Sequence, residues 1–360
     1  MAHKFLITGA AGFIGGSILT DFLASNNPLL KKGNISAAVR SQEQADALSN
    51  LGISVIRLDL GNEEAVFAAI LHNDISVVIH TASCIDAKLV LPLISGLGKQ
   101  RELSGKETAF IHTSGTSSFY KSTGWPYEEF KDTDAIFETE KQVEVPFPVR
   151  VVNVAVKEHA EAQGVRSFVV VPPLVYGKGK GAWNKVSVQF PGSIRASISQ
   201  QKTSRFEADT RTPAVHISDL TGFYQCLISN FLSGDSTPSG DKGYYFPISH
   251  YFNWWEVLEN FATALYDRGL TKDRETHVWP SDEVAASALS IPLPYVRVLW
   301  DSGLKVSTEK NTKLGWNPEW NKDRMLLSLE DEIQNVVDSG GLKSSSLDAM
   351  KKVAEKGPSE

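Results

Sequence analysis

Short, near-continuous apolar runs alternate with stretches of helical periodicity through the first half of this chain. The runs are Lys4–Thr8, Ile35–Arg40, Ser54–Leu58, Val77–His80, Phe110–Thr113 and Ser167–Val171. Apolar residues at successive positions, rather than at every second one, mark strands buried on both faces. Ile14–Leu23, Glu63–His72, Asp86–Gly96 and Val149–Gln163 carry helical spacing between them. Strand and helix in alternation build parallel βαβ units, so the predicted class is α/β, a Rossmann-type doubly wound parallel sheet.

The pattern changes after Tyr176. Gly177-Lys178-Gly179-Lys180-Gly181 opens a polar, irregular region that runs to about Thr212. An extended piece at Ala214–Ile217 and a helix from Asp219 to about Phe231 follow, then a Ser/Gly/Asp/Pro-rich linker at 233–242. A strand at Gly243–Ile248 and a helix at Trp254–Tyr266 come next. The expected organisation is a sheet domain at 1–176, with 213–250 packing back on it, and a smaller C-terminal lobe made of 177–212 and 251–338. The Lys/Ser/Glu-rich segment 339–360 reads as a loosely attached tail or exposed helix.

Composition works by exclusion. At 42% hydrophobic and 22% charged, the 360 residues have the proportions of a folded protein, not of a disordered, collagen-like or disulfide-rich one. A net charge of −6 lacks the basic surplus that grips nucleic-acid phosphates or anionic lipid, so neither nucleic acid nor membrane is an expected partner. The most apolar stretch, Phe168–Tyr176, is half the length of a membrane span and contains Pro172 and Pro173. Cys84 and Cys226 stand in no metal-ligand spacing and the histidines are scattered. Reduced thiols, no metal and a cytoplasmic location are expected.

The first apolar run ends in Thr8-Gly9-Ala10-Ala11-Gly12-Phe13-Ile14-Gly15, a GxxGxxG spacing between strand and helix. Gly9 permits the tight turn, Gly12 lets bare amides approach a pyrophosphate, and Gly15 lets helix and strand pack closely. The helix N-terminus then faces the phosphates with its partial positive charge. Gly9, Ala11, Gly12, Phe13, Ile14 and Gly15 are therefore the expected dinucleotide cradle. At the end of the second strand an Asp or Glu would select NAD by bonding the ribose 2′-OH. Here Arg40 and Ser41 stand instead, a guanidinium and a hydroxyl suited to a 2′-phosphate, and the expected cofactor is NADP. The alternative, less favoured reading of Arg40 is a solvated strand-end residue.

Later motifs, in chain order, resemble the extended short-chain dehydrogenase/reductases, the NAD(P)-dependent epimerase/dehydratase group. Leu58-Asp59-Leu60 resembles the element whose Asp faces adenine, and His80-Thr81-Ala82-Ser83 the small-residue turn that lines the cofactor. Phe110–Ser118 is similar to the strand that runs into the catalytic Ser/Thr loop. Pro172-Pro173-Leu174-Val175-Tyr176-Gly177 is similar to the turn near the nicotinamide. Val215–Asp219 and Leu314–Pro318 resemble two late family elements. The resemblance spans residues 4–335 and implies a Rossmann NADP-binding domain, a smaller C-terminal substrate lobe and a cleft between them. It adds Asp59, Leu60, Thr81, Ala82, Ser83, Pro172 and Leu174 to the expected cofactor contacts.

The family's acid/base pair, Tyr-x-x-x-Lys on the helix before the sixth strand, is missing. Two placements compete. Asn153 and Lys157 keep the i, i+4 spacing, which puts both on one helix face. The register measured back from Pro172 instead puts Arg150 at the lysine position and Pro146 near the tyrosine, and is favoured. Neither supplies a group that transfers a proton at neutral pH. The resemblance is thus to an atypical branch, and Ser114, Thr116, Tyr120 and Tyr127 are the candidate replacements. Tyr176 reads as wall, His112 as a core histidine and His216 as a lobe-junction residue. The Gly177–Gly181 loop reads either as a cationic hold on an anionic substrate group or as a flexible solvated loop.

Hydride transfer to or from a small carbonyl or alcohol substrate is the expected activity. A non-catalytic dinucleotide sensor or scaffold, and a nucleotide-sugar epimerase or dehydratase, are the alternatives. The stripe Val149, Val152, Val156, Ala160 serves a core or a homodimer face equally, so monomer and homodimer both remain open.

Overall fold

In the computed structural model, which describes residues 2–234, 236–339 and 351, β1 (Phe5–Thr8) lies inside a seven-stranded parallel sheet. It pairs with β2 (Ile35–Val39) on one side and β4 (Val77–His80) on the other. β3 (Ser54–Arg57) extends the first side. On the second side follow β5 (Ala109–Thr113), the strand Arg166–Val170 and the short strand Tyr244–Tyr245. Six expected strands thus appear within a residue or two of their predicted ends, and of Gly243–Ile248 only Tyr244–Tyr245 joins the sheet.

The pleat sorts the strand residues to two buried faces. Phe5, Ile7, Val77, Ile79, Ile111 and Phe168 pack against α1 (Phe13–Ala24) and the helix Ile217–Leu232. Leu6, Ala38, Val78 and Phe110 pack against α3 (Glu63–His72), α4 (Leu91–Ser104) and the helix Pro148–Ala162. A separate apolar core, built on Phe190, Phe252, Trp254, Phe261 and Ile333, holds the second lobe together. The segment read as a tail lies, apart from residues 339 and 351, outside the described residues.

Three elements depart from the pattern reading, each for a local reason. The helix expected at Asp86–Gly96 begins later: Asp86 caps a single turn at Ala87–Leu89, and α4 starts at Leu91 with Pro92 in its first turn. Proline fits only there, where its missing N–H has no partner to lose. The region 177–212 is not irregular throughout, for Gln189–Gln200 is a helix that buries Phe190 and Ile194. Pro191 and Gly192 disguise it in the sequence, again by falling in the first turn. Ser41 does not simply end β2; it caps α2 (Gln42–Ser49) in a reciprocal box with Gln44.

The helix Pro148–Ala162 is fixed by buried polar contacts. Asn153 donates to Glu140 Oε1 at 2.8 Å, and the Tyr244 hydroxyl donates to Glu140 Oε2 at 2.6 Å. Burial pushes the Glu140 carboxyl up to about 7 against these two bonds and the nearby Arg150 charge. Glu332, on the helix Leu329–Ser339, is likewise raised to about 7 by burial, although it accepts from the Gly177 amide at 2.5 Å. Between about pH 4.5 and 7 the folded chain therefore binds more protons than the unfolded one, and stability falls as pH rises through that window. A displacement of this size corresponds to on the order of 3 kcal/mol per carboxyl. Urea melts at pH 5 and pH 8 are expected to show the wild type weaker at pH 8, and Glu140→Gln to shrink the difference. An equal or larger difference in the variant removes Glu140 as its source.

Candidate functional site

The glycine turn is tight because threonine occupies the space a side chain would need. Thr81 Oγ1 donates to Thr8 O at 2.8 Å and sits where a Cβ on Gly9 or Gly15 would fall. Gly9 has φ +70°, and the Gly12 amide donates to Gly9 O at 2.8 Å. Gly12 is the N-cap of α1, with no side-chain cap and no acidic residue in the first turn. The first-turn amides and the positive helix end are thus left for an external anion. The residues fit a dinucleotide diphosphate.

His80 stiffens the adjoining turn. Its Nδ1 bonds the Thr8 hydroxyl at 2.8 Å and its Nε2 bonds Ser83 O at 2.9 Å, while burial lowers its pKa to about 4 and keeps it neutral. Ala82 and Ser83 follow Thr81 on this turn. Arg40 is exposed, and its guanidinium has no hydrogen-bond or ion-pair partner among the described residues. The Ser41 hydroxyl caps α2 and also bonds Glu43 at 3.3 Å, so it is already engaged. Arg57, unremarked in the sequence, lies opposite Val39 and reaches Gln42 at 3.3 Å. Asp59 is exposed and accepts from the Gly61 amide at 2.9 Å, while Leu60 is buried.

Beside the turn a cleft of about 230 Å³ opens between the lobes. Gly12–Gly15 and Thr81 form one wall, Pro172–Val175 another, and Ser114–Ser117 with Tyr120 a third. The Tyr120 hydroxyl lies 2.8 Å from Thr116 Oγ1. Burial pushes Tyr120 up to about 12, against the Thr116 bond. It is a hydrogen-bond donor at neutral pH, not a phenolate. Ser114 Oγ is buried without a protein partner. Tyr127 lies outside the cleft, half-exposed with its ring against Trp125, and is not brought to this site.

Neither placement of the missing pair puts a proton-transfer group in the cleft. Val149 alone of its helix lines it. Asn153 is held by Glu140, and Lys157 pairs with Glu161 at 2.8 Å and Asp241 at 2.5 Å over the Phe137 ring. Arg150 is buried behind the cleft, donating to the carbonyls of Ser118 at 2.5 Å, Thr123 at 3.1 Å and Val145 at 3.0 Å. It tethers the loop that carries Thr116 and Tyr120. His112 is a neutral core histidine with no partner for either nitrogen. His216 accepts from the Ser218 amide at the N-terminus of the helix Ile217–Leu232, and its ring stacks on Trp320 at 3.7 Å. Tyr176 is buried behind the wall, ringed by His216, His250 and Trp320.

The Gly177–Gly181 loop buries Gly179 and Gly181 and leaves Lys178 and Lys180 exposed. It lies as a strap across α1, with Gly181 against Gly16 so closely that a Cβ on either would fall 3.0–3.1 Å from the other's Cα. Lys180 N donates to Ser17 Oγ at 3.1 Å, and Lys180 Nζ pairs with Asp21 at 2.8 Å. Further on, Asn184 N donates to Ala11 O at 3.2 Å. Asn184 and Ser187 thereby join the cleft wall. No sequence signal marked them, because it is the glycine crossing that brings them there.

Residues 6–92 match the model of the 3-beta hydroxysteroid dehydrogenase/isomerase family. No curated protein matches the chain. A UDP-glucose 4-epimerase from Thermotoga maritima, solved with UDP-glucose, aligns over 93% of this chain and 99% of its own at 13% identity and TM-score 0.63. A dTDP-glucose 4,6-dehydratase from Bacillus anthracis, solved with NAD, covers 93% and 97% at 14% identity and the same TM-score, 0.63. The fold is that of the extended short-chain dehydrogenase/reductases. The Thermus thermophilus UDP-glucose 4-epimerase, in complex with NAD, shares this extended short-chain fold at 17% identity and TM-score 0.57, over 92% of this chain and 99% of its own. The family match runs from β1 to the start of α4, the part of the sheet that carries the glycine turn, and stops before the helix Pro148–Ala162. Among the described residues no group of three or more His, Cys, Asp or Glu is placed to hold a metal, and no helix is long and apolar enough to cross a membrane.

Gly15→Ala tests the cradle. The new methyl overlaps Thr81 Oγ1 and Gly9 O, so the variant is expected to lose about 1–3 kcal/mol of stability and at least about tenfold in dinucleotide affinity. Denaturant melts and fluorescence titration with NADPH measure the two losses. Unchanged affinity in a folded variant removes the turn from the binding site.

Proposed function

We propose that this chain is an NADP-dependent oxidoreductase acting on a small carbonyl or alcohol substrate. The observation that carries the reading is the junction of a Cβ-free helix-end cradle with a hydroxyl-lined cleft. The amides of Phe13, Ile14 and Gly15 hold the diphosphate, and Arg40 meets the 2′-phosphate with Ser41 beside it. Asp59 and Leu60 flank the adenine end. Thr81, Ala82, Ser83, Pro172 and Leu174 border the remainder. Bound there, the dinucleotide supplies or accepts a hydride at its nicotinamide ring.

The chain's own part is to hold and polarise. Thr116 and Tyr120, with Ser114 beside them, donate hydrogen bonds to the reacting oxygen. The proline turn and the segment from Asn184 to Gln189 wall the site. The missing Tyr-x-x-x-Lys pair on the helix Pro148–Ala162, where Asn153 stands four residues before Lys157, supports a second reading, a dinucleotide sensor or scaffold that does not turn over. The likeness to an epimerase and a dehydratase is compatible with redox-neutral sugar chemistry, though that chemistry requires a base to take a hydroxyl proton.

Fluorescence titrations of wild type and Arg40→Ala with NADPH and NADH test the cofactor. Wild type is expected to prefer NADPH, and the variant to lose about 10- to 100-fold for NADPH with little change for NADH, the scale of one charge-assisted contact. An unchanged preference sinks the Arg40 assignment. Tyr120→Phe tests the chemistry: carbonyl-dependent loss of the 340 nm band of NADPH is expected to slow about 100-fold with NADPH affinity retained. No oxidation of bound NADPH by any carbonyl, together with a nucleotide-dependent change of assembly, favours the sensor.

A further inference from the structure

The cleft beside the glycine turn is lined without Asp, Glu, Lys, Arg or His. Its polar groups are neutral amides, hydroxyls and the free Cys84 thiol, and Val149, Val186, Val188 and Leu299 supply apolar wall. Lys185, between the cleft-lining Asn184 and Val186, and Lys178 of the strap are exposed and stand outside the lining. Lys180 of the strap is paired with Asp21, and Arg150 behind the Thr116–Tyr120 loop turns its two terminal nitrogens to the carbonyls of Ser118, Thr123 and Val145. The bare amides of α1 are taken by the dinucleotide in the reading above.

Two hydroxyls in this cleft have nothing to bond. Ser114, which follows β5 on the sheet lobe, and Ser187, which follows the strap on the second lobe, are each buried with Oγ unpartnered. A buried hydroxyl left unpaired is a standing penalty that a ligand oxygen relieves. An ester of diphosphate entering the same space brings charge that no cation in the wall compensates, and burying uncompensated charge is far costlier than burying a neutral carbonyl.

We propose that this cleft takes an uncharged, mainly apolar carbonyl compound or its alcohol, oriented by hydroxyls from both lobes, and rejects nucleotide-diphosphate sugars. Ser187 is the specificity residue that the second lobe contributes. The inference rests on the dinucleotide reading, since the amides of α1 are counted as filled.

Full-length protein loaded with NADPH is titrated with two probes, the neutral bicyclic ketone 1-tetralone and UDP-glucose, by thermal shift and quenching of bound NADPH fluorescence. The ketone is expected to bind at least about tenfold more tightly than UDP-glucose, and Ser187→Ala to weaken the ketone about tenfold while NADPH affinity holds. Val188→Arg, which places a cation in the wall, is expected to weaken the ketone and strengthen UDP-glucose. The proposal is overturned if UDP-glucose binds as well as the ketone or better. It is equally overturned if the ketone gives no response, or if Ser187→Ala leaves ketone affinity unchanged. A chain that binds neither NADPH nor NADH before any probe is added instead overturns the dinucleotide reading beneath it.

Discussion

One threonine set against two glycines governs the architecture. Thr81 occupies the volume that side chains at Gly9 and Gly15 would fill, and its hydroxyl closes on Thr8 O. β1, α1 and the end of β4 are thereby drawn closer than residues with a Cβ allow. That approach leaves the N-terminus of α1 uncapped at the point where β1 has neighbours to both sides, which is where ligands of open parallel sheets bind. The positive end of a three-turn helix meets no acidic residue of its own first turn. An anion there completes what the protein leaves open.

The cost of that arrangement in chemistry is visible on the helix Pro148–Ala162. A cation in the cleft lowers the pKa of a phenol beside it by favouring the phenolate. Arg150, Asn153 and Lys157 all turn to internal partners instead, so Tyr120 meets desolvation with only Thr116 to offset it and rises to about 12. A group in that state gives a proton to an oxygen gaining negative charge far more readily than it takes one from a neutral alcohol. On the proposed reading, this state of Tyr120 favours reduction of a carbonyl over abstraction from a sugar hydroxyl. The buried guanidinium of Arg150 still serves this end at one remove, by holding the carbonyls of Ser118 and Thr123 and with them the loop that presents the hydroxyl pair.

The sheet was legible because its strands are buried on both faces, and continuous apolar runs such as Val77–Ile79 admit few other readings. The glycine turn was legible because its requirement is local: a left-handed φ at Gly9 and a close helix at Gly15 are demands on single residues. The cleft was legible only on the side built by neighbours in sequence, Ser114 to Tyr120 and Pro172 to Leu174. Ser187, Asn184 and Val149 escaped notice because their places follow from packing between segments remote in the chain. Tyr127 illustrates the reverse error. It belongs to the same loop region as Tyr120, yet Trp125 takes the interior and leaves Tyr127 half in solvent. The course of the strap was hidden for a related reason, since Gly181 against Gly16 is a contact between two residues with no side chains to advertise it.

That glycine crossing is also what makes the second lobe part of the site. The strap is held at its start by Glu332 on the Gly177 amide, at its middle by Lys180 on Ser17 and Asp21, and near its end by Asn184 on Ala11. Three fixings along so short a segment leave Ser187 little freedom beyond rotation of its own side chain. Its hydroxyl is therefore positioned before any ligand arrives, and ordering it costs binding little entropy. A wall without charges would be a poor device for orienting a substrate if its few polar groups were mobile. Here Asn184 and the strap tie the segment that carries Ser187 to the start of α1, so the polar wall from the second lobe and the uncapped helix end belong to one contact network.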